Sequence, residues 1–116
     1  MHKLSFTYPS KEKLKSKRLI NLIFGTGNTL KAYPILIRYV QNEKRQVGVS
    51  VSKRNFKKAV DRIRIKRQLR EAYRLNKHEI NAEQSEFAVM IIFMGRYFTK
   101  SNEVHQKVRK LLKEIK

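Results

Sequence analysis

The hydrophobic positions change period several times along this chain, and each change predicts an element. Residues 35–40 (ILIRYV) and 47–52 (VGVSVS) alternate, which is the period of a half-buried strand. The first run places Ile35, Ile37 and Tyr39 on one face and Leu36, Arg38 and Val40 on the other. The second sets Val47, Val49 and Val51 against Gly48, Ser50 and Ser52. Polar residues 41–46 between them predict a turn, and hence an antiparallel hairpin. Residues 87–94 (FAVMIIFM) form an almost unbroken apolar run, the signature of a central strand buried on both faces. Three stretches carry a helical period. From about Lys11 to Phe24, the residues Leu14, Leu19, Ile20, Leu22, Ile23 and Phe24 make a wide stripe. Ser10 is its predicted N-cap, Glu12 suits the first turn, and Gly25 and Gly27 are its predicted stop. From about Lys58 to Lys77 there is neither Gly nor Pro, and the composition favours helix. A third helix opens at Ser101 or Asn102, with Val104, Val108, Leu111, Leu112 and Ile115 at i, i+4, i+7, i+8 and i+11. Lys107, Arg109, Lys110, Lys113 and Lys116 occupy its other face. Residues 1–9 read as an extended arm, because Pro9 discourages helix before it.

The expected order is therefore helix, strand, strand, helix, strand, helix. That is an α+β fold, a small two-layer sandwich of helices against a mostly antiparallel sheet. A length of 116 residues fits one domain, 1–116.

Charge changes the picture most. Lys and Arg total 28 against 9 Asp and Glu, a formal net charge of +19. Such an excess opposes compaction unless an anionic partner neutralises it. Nucleic acid is the first candidate and an anionic membrane surface the second. The cations concentrate in residues 53–77, which include Lys53, Arg54, Lys57, Lys58, Arg62, Arg64, Lys66, Arg67, Arg70, Arg74 and Lys77. At about 100° per residue, Lys66, Arg70, Arg74 and Arg67 fall on one side of the second helix with Arg62. Ile65, Leu69 and Ala72 fall on the other, with Tyr73 at the border. Ile63 is the misfit, an aliphatic residue within the cationic face. Asp61 and Glu71 are too few to pair with these cations, which would otherwise repel one another. A row of guanidinium groups on a rigid helix matches the geometry of phosphates. If about six to ten phosphates are neutralised, affinity falls steeply with salt.

Other chemistry is sparse. With no cysteine, disulfides and thiolate metal sites are excluded, which fits a reducing compartment. No stretch approaches the roughly 18 apolar residues of a membrane span, and the N-terminus has no signal-like apolar run. His2, His78 and His105 are scattered and read as surface residues. There is no HExxH, Gly-rich phosphate loop or acidic metal cluster. Glu79, Glu83 and Glu86 read as a solvated link. The sheet face of Leu36, Arg38 and Ser50 is by default an ordinary solvent face, and Phe24 an ordinary core residue. Apolar groups beside cations are nevertheless what single-stranded RNA requires.

One motif has a context. Ser50, Val51, Ser52, Lys53 and Arg54 end a strand. After a short basic connection come Ala59 and Val60, then Arg62, Arg64, Ile65, Lys66, Arg67, Arg70, Glu71, Ala72 and Tyr73. An amphipathic helix lies upstream and FAVMIIF downstream. Over nearly the whole chain this resembles the bacterial ribonuclease P protein component. The family's R-N-R reads Arg62-Ile63-Arg64 here. The connection KRNFKK lacks the usual Gly, Ile20 stands at an often aromatic position, and Arg38 replaces a frequent Tyr. The resemblance implies a left-handed β-α-β crossover in a ribosomal-protein-like fold. It implies an accessory subunit of a ribonucleoprotein endonuclease that removes the 5′ leader of precursor tRNA, with no catalytic residue on the protein. The expected partners are the catalytic RNA and precursor tRNA, with neither membrane nor DNA. Mg²⁺ is expected on the RNA and substrate and on no site of the protein alone; the expected location is cytoplasmic. Charge and resemblance together assign RNA binding to Lys53, Arg54, Arg62, Arg64, Lys66, Arg67, Arg70 and Arg74. The resemblance places the leader in a cleft of Ile20, Phe24, Leu36, Arg38 and Ser50. The alternative is a small basic ribosomal or other structural RNA-binding protein. A DNA-binding module lacks helix-turn-helix spacing and dimerising heptads. A peripheral membrane protein lacks the large apolar helix face with Trp or Phe.

Overall fold

The computed structural model describes residues 7–81, 83 and 85–115. The helices are α1 (Lys17–Thr26), α2 (Ala59–Asn76) and α3 (Ser101–Glu114); the strands are β1 (Asn28–Ala32), β2 (Ile35–Asn42), β3 (Gln46–Val51) and β4 (Glu86–Phe93). Short 3-10 turns occupy Ser10–Glu12 and Lys77–Glu79. Residues 1–6 of the expected arm, and Lys116 of the expected third-helix face, lie outside the described residues.

The sheet order is β1-β2-β4-β3. β4 pairs antiparallel with β2 and parallel with β3, so it is the central strand that its apolar run predicts. Every β4 residue from Phe87 to Phe93 is buried. The expected β2–β3 hairpin is not formed: β4 inserts between the two strands. A polar turn brings the chain back without dictating which strand becomes the neighbour, and β4, apolar on both faces, gains most from a partner on each edge. β3, α2 and β4 make a parallel β-α-β crossover. β1 is a strand the periodicity did not reveal. It is short, lies at the sheet edge between Gly27 and the cis Tyr33–Pro34 peptide, and turns only Leu30 and Ala32 toward the core.

Strand parity holds although the pairing differs. Ile35, Ile37, Tyr39, Val47, Val51, Val89, Ile91 and Phe93 form the main core with α2 and α3. This is the helix-on-sheet sandwich expected from the pattern. Ile65, Leu69, Ala72 and Tyr73 of α2 and Val104, Val108, Leu111 and Leu112 of α3 are buried in it. At about 1.5–3 kcal/mol for each fully buried large apolar side chain, this stripe anchors α2 despite its charge. A second, smaller cluster lies on the opposite face, where Leu19 and Ile23 of α1 and Leu14 meet Ala88, Met90 and Ile92.

α1 starts at Lys17, later than its apolar stripe suggests. Ser16, not Ser10, is its N-cap, and its Oγ accepts from Leu19 N–H at 3.2 Å. The preceding segment is held by long-range contacts instead. Leu14 N–H donates to Val47 O at 3.0 Å, beside the sheet edge. Glu12 receives Lys77 Nζ at 2.7 Å and Tyr73 Oη at 2.7 Å. α1 also runs through Gly25 and ends at Gly27, where a Cβ would lie 2.4 Å from Ile23 O. For α3 the N-cap is Lys100 and Ser101 is the first helical residue.

The Glu12–Lys77 pair generates a prediction. Its side chains are only 15% and 8% exposed, so removing Glu12 leaves a buried ammonium without its counter-charge. Glu12→Ala should cost about 3 kcal/mol in urea unfolding. Glu71→Ala, which breaks the exposed Arg74 pair, should change stability by less than about 1 kcal/mol. Equal effects would show that the Glu12 pair is no better buried in solution than the Glu71 pair.

Candidate nucleic-acid interface

α2 sorts its residues by the depth of the core beneath it. With Ile65, Leu69, Ala72 and Tyr73 at 0% exposure, the opposite surface must carry Arg64, Arg67 and Arg70, which are exposed. Ile63 lies at 55% exposure, on the surface as its helical phase requires. The expected RNA-binding cations are not equivalent, however. Arg62 Nη1 donates to Phe56 O at 2.8 Å and Lys57 O at 2.9 Å, so it braces the connection that feeds α2. The Arg64 guanidinium lies 4.6 Å from the Phe98 ring centroid, a cation–π arrangement. Arg74 pairs with Glu71, and this hydrogen bond holds the Glu71 carboxyl below the usual carboxylate range. Lys66 is half-buried, while Lys53 and Arg54 sit exposed on the turn after β3. Arg67, Arg70, Lys53 and Arg54 have no carboxylate partner among the described residues.

Three of the nine acids are committed to ion pairs outside α2. Glu12 holds Lys77, and Glu86 accepts from Arg45 Nε at 2.9 Å. Glu79 lies 3.3 Å from Lys113 and 3.5 Å from Arg109. Partial burial raises the Glu79 pKa, but these cations outweigh it and hold the carboxyl below its usual range. Glu79 and Glu86 therefore belong to ion pairs, not to the solvated link expected of them. Glu71 is the one α2 acid in an ion pair, with Arg74, and Arg67 and Arg70 remain available to an external anion.

On the other face of the sheet, cross-strand register aligns Leu36, Ile92 and Ser50 in one row and Arg38, Met90 and Gly48 in the next. Leu36, Arg38 and Ser50 thus share a face through β4, which separates their strands. α1 covers part of that face, with Ile20, Leu36 and Val40 partly buried against it. Phe24 is 45% exposed near the end of α1. Arg38 Nε donates to Ile23 O at 3.2 Å and Nη2 to Phe24 O at 3.1 Å. It thus bonds two carbonyls of the last helical turn, Phe24 O and Ile23 O, the latter shared with Gly27 N–H, and its charge opposes the negative dipole end. A groove of about 280 Å³ continues from this face; Tyr8, Lys13, Ile20, Gly48, Arg70 and Met90 are among its walls. It brings Ile20 and Arg70 together, one from each expected set; Phe24, Leu36, Arg38 and Ser50 do not line it.

Tyr8, Gly48 and Met90 are groove residues that local pattern did not single out. Tyr8 Oη donates to Val47 O, and its ring packs edge-on against Tyr73 at 5.2 Å. Burial pushes the Tyr8 pKa up to about 12, with Arg70 acting against the rise and Glu12 adding to it. The phenol is therefore a neutral donor at physiological pH. A Cβ at Gly48 would come within 3.1 Å of Met90 Cε. The sequence signal was a Gly on the small-residue face of an alternating strand. Among the described residues, no three of His, Cys, Asp or Glu converge to hold a metal ion. No helix there is long and apolar enough to cross a membrane.

Comparison with known proteins supplies the family. The model of the ribonuclease P family matches residues 8–116. This chain belongs to the ribonuclease P protein family. It is 37% identical over 97 residues to the ribonuclease P protein component of Porphyromonas gingivalis, covering 78% of this chain and 71% of that one. It is 30% identical over 112 residues to that of Dictyoglomus turgidum, covering 95% and 90%. The solved ribonuclease P protein of Thermotoga maritima superposes with a TM-score of 0.77 at 27% identity, covering 90% of this chain and 98% of that one. The Staphylococcus aureus protein shares the fold, with a TM-score of 0.73 at 20% identity and coverage of 89% and 94%. The chain is thus a protein component of a bacterial endoribonuclease complex.

On α2, the contacts of Arg62 separate it from its neighbours. Arg62→Ala removes two charge-assisted bonds to backbone carbonyls and should lower unfolding stability by about 2 kcal/mol. Arg67→Ala should stay within about 0.5 kcal/mol, as an exposed substitution. Chemical denaturation of the two variants compares them; equal stabilities would remove the bracing role of Arg62.

Proposed function

We propose that this chain is the RNA-binding subunit of ribonuclease P and assists removal of the 5′ leader from precursor tRNA. The observation that carries the reading is the surface of α2, where cations far outnumber Asp61 and Glu71 and Arg67 and Arg70 have no carboxylate partner among the described residues, on a helix locked by its buried face. Such a row binds a phosphate backbone by counterion release. Lys53, Arg54, Arg64, Lys66, Arg67 and Arg70 supply the charge. Arg62 and Arg74 act partly through the local bonds that fix the connection and the helix surface. The partner is the large RNA subunit, whose length of structured backbone suits an extended cationic rod.

The sheet face beside α1, together with the groove that continues from it, suits the leader. Single-stranded RNA needs apolar ground for its bases and cations for its phosphates. Ile20, Phe24 and Leu36 provide the first, with Ser50 as a small polar neighbour, and Arg70 and Lys13 provide the second at the groove. Arg38 presents whatever guanidinium edge its two carbonyl bonds leave free. The reaction is hydrolysis of a phosphodiester bond that leaves a 5′ phosphate on the mature tRNA. The protein offers binding and orientation, and no residue of its own reacts. In this reading Mg²⁺ is held by the RNA and the substrate. A cytoplasmic location accompanies this role.

Reconstitution tests the proposal. The chain is mixed with the RNA subunit from the same source, and cleavage of a leader-bearing precursor tRNA is followed at low Mg²⁺. The protein should bind that RNA and lower the Mg²⁺ requirement; failure of both overturns the reading. Arg67→Ala with Arg70→Ala should weaken RNA binding and flatten its salt dependence while circular dichroism is unchanged. Loss of the helical signal would make those residues structural.

Ile63 stands where the family's R-N-R has an amide. On an exposed helix position it offers only apolar contact, and the flanking arginines carry the binding. Ile63→Asn should therefore leave RNA affinity within about 1 kcal/mol, the scale of a net hydrogen bond. A larger gain in a binding titration would mean that the aliphatic residue limits this interface.

A further inference from the structure

The chain carries an aromatic surface that none of these roles uses. The loop after β4 runs Arg96-Tyr97-Phe98, and Tyr97 is 82% exposed, the largest value among the exposed large apolar side chains described. The loop beneath it is firmly held. Met94 N–H donates to Pro34 O at 2.7 Å, and Asn55 Nδ2 donates to Gly95 O at 3.3 Å. Gly95 is buried so closely that a Cβ would lie 2.9 Å from the Phe93 ring. Phe98 packs on Phe56 at 5.4 Å, and Phe56 packs on Phe93 at 5.9 Å, so an aromatic chain ties the loop to the core. Tyr97 stands beyond this chain with its ring in solvent.

Its surroundings are cationic. Tyr97 lines an open groove of about 510 Å³ whose charged walls are Lys57, Lys58 and Arg96 against the single carboxylate of Asp61. Arg64, stacked on Phe98, continues the positive surface onto α2. An exposed ring on a pinned loop among cations meets the two needs of an unpaired nucleotide: a stacking partner for the base and counter-charge for its phosphates. The ring loses little conformational freedom on binding, because the loop is already ordered.

We propose that Tyr97 is a stacking platform for an unpaired base of the RNA subunit, with Lys57, Lys58 and Arg96 holding the adjacent phosphates. This rests on the RNA-binding reading of α2. The RNA subunit is favoured over the leader by position. The groove is built on the N-terminal end of α2 and on Phe56, which belongs to the core between the sheet and α2–α3. Leu36, Arg38 and Ser50 point from the opposite sheet face. RNA lying along the α2 cations therefore reaches Tyr97 without passing through the α1 groove.

The test uses the full chain and the RNA subunit in binding titrations across a salt series. Tyr97→Ala should weaken binding about tenfold, the loss of one stacked base, without changing the slope of affinity against salt. Tyr97→Phe should bind as the unaltered chain does. The double variant Lys57→Ala with Lys58→Ala should flatten the slope. Thermal unfolding of Tyr97→Ala should match the unaltered chain, because the ring is outside the core. If the unaltered chain binds and Tyr97→Ala binds equally well, the platform is disproved while the reading of α2 stands. If the unaltered chain does not bind the RNA, it is the RNA-binding reading of α2 that fails, and the platform falls with it. A second arm compares the assembled holoenzyme on leader-bearing and leaderless tRNA. The preference for the leader should survive Tyr97→Ala; its loss, with RNA-subunit affinity intact, would assign the ring to the leader and overturn the proposal.

Discussion

A helix that carries this much uncompensated charge can be held in place only by what lies beneath it. Repulsion among the α2 cations favours an expanded chain, and Asp61 and Glu71, the two acids of the helix, are too few to cancel it. Four buried positions, Ile65, Leu69, Ala72 and Tyr73, supply the opposing term. They turn the helix so that its charge faces outward and its apolar stripe meets the sheet. The surface proposed to bind RNA and the interior that stabilises the fold are thus two sides of one helical period. An anionic partner that covers the outer side also removes the repulsion, so binding and stability reinforce one another.

The N-terminal segment depends on the same helix. Tyr73 ends the buried stripe, and its phenol reaches Glu12, which also takes Lys77. Burial, reinforced by the bond to Glu12, raises the Tyr73 pKa, so the phenol stays a donor. Tyr8 packs on the Tyr73 ring, and Leu14 bonds to β3. These contacts draw residues 8–14 across the molecule and delay α1 until Ser16. In that position they wall the groove in which Ile20 of α1 meets Arg70 of α2. The two proposed binding surfaces are continuous because a buried carboxylate pins the segment between them.

Some of this was legible in the residues because it depends on local geometry. Side chains two apart on a strand share a face whatever strand lies beside them, so Leu36, Arg38 and Ser50 could be grouped although the expected hairpin does not exist. The outward cations and buried stripe of α2 likewise follow from about 100° per residue. β1 was not legible, because an edge strand with two half-buried residues leaves almost no periodic trace. The start of α1 was not legible either: Ser10 and Ser16 are both good caps, and the choice between them is made by Glu12 and Leu14 bonding to distant partners.

By itself, then, the sequence determined the elements with strong periods, the side of each that faces the core, the excess of positive charge and the family motif along α2. Tertiary structure alone decided that β4 separates β2 from β3, that Arg62 and Arg38 spend donors on backbone carbonyls, and that Tyr97 is left in solvent beside Lys57 and Lys58. The division has one physical cause. Periodicity is a property of neighbours along the chain, whereas strand pairing, buried ion pairs and groove walls join residues tens of positions apart.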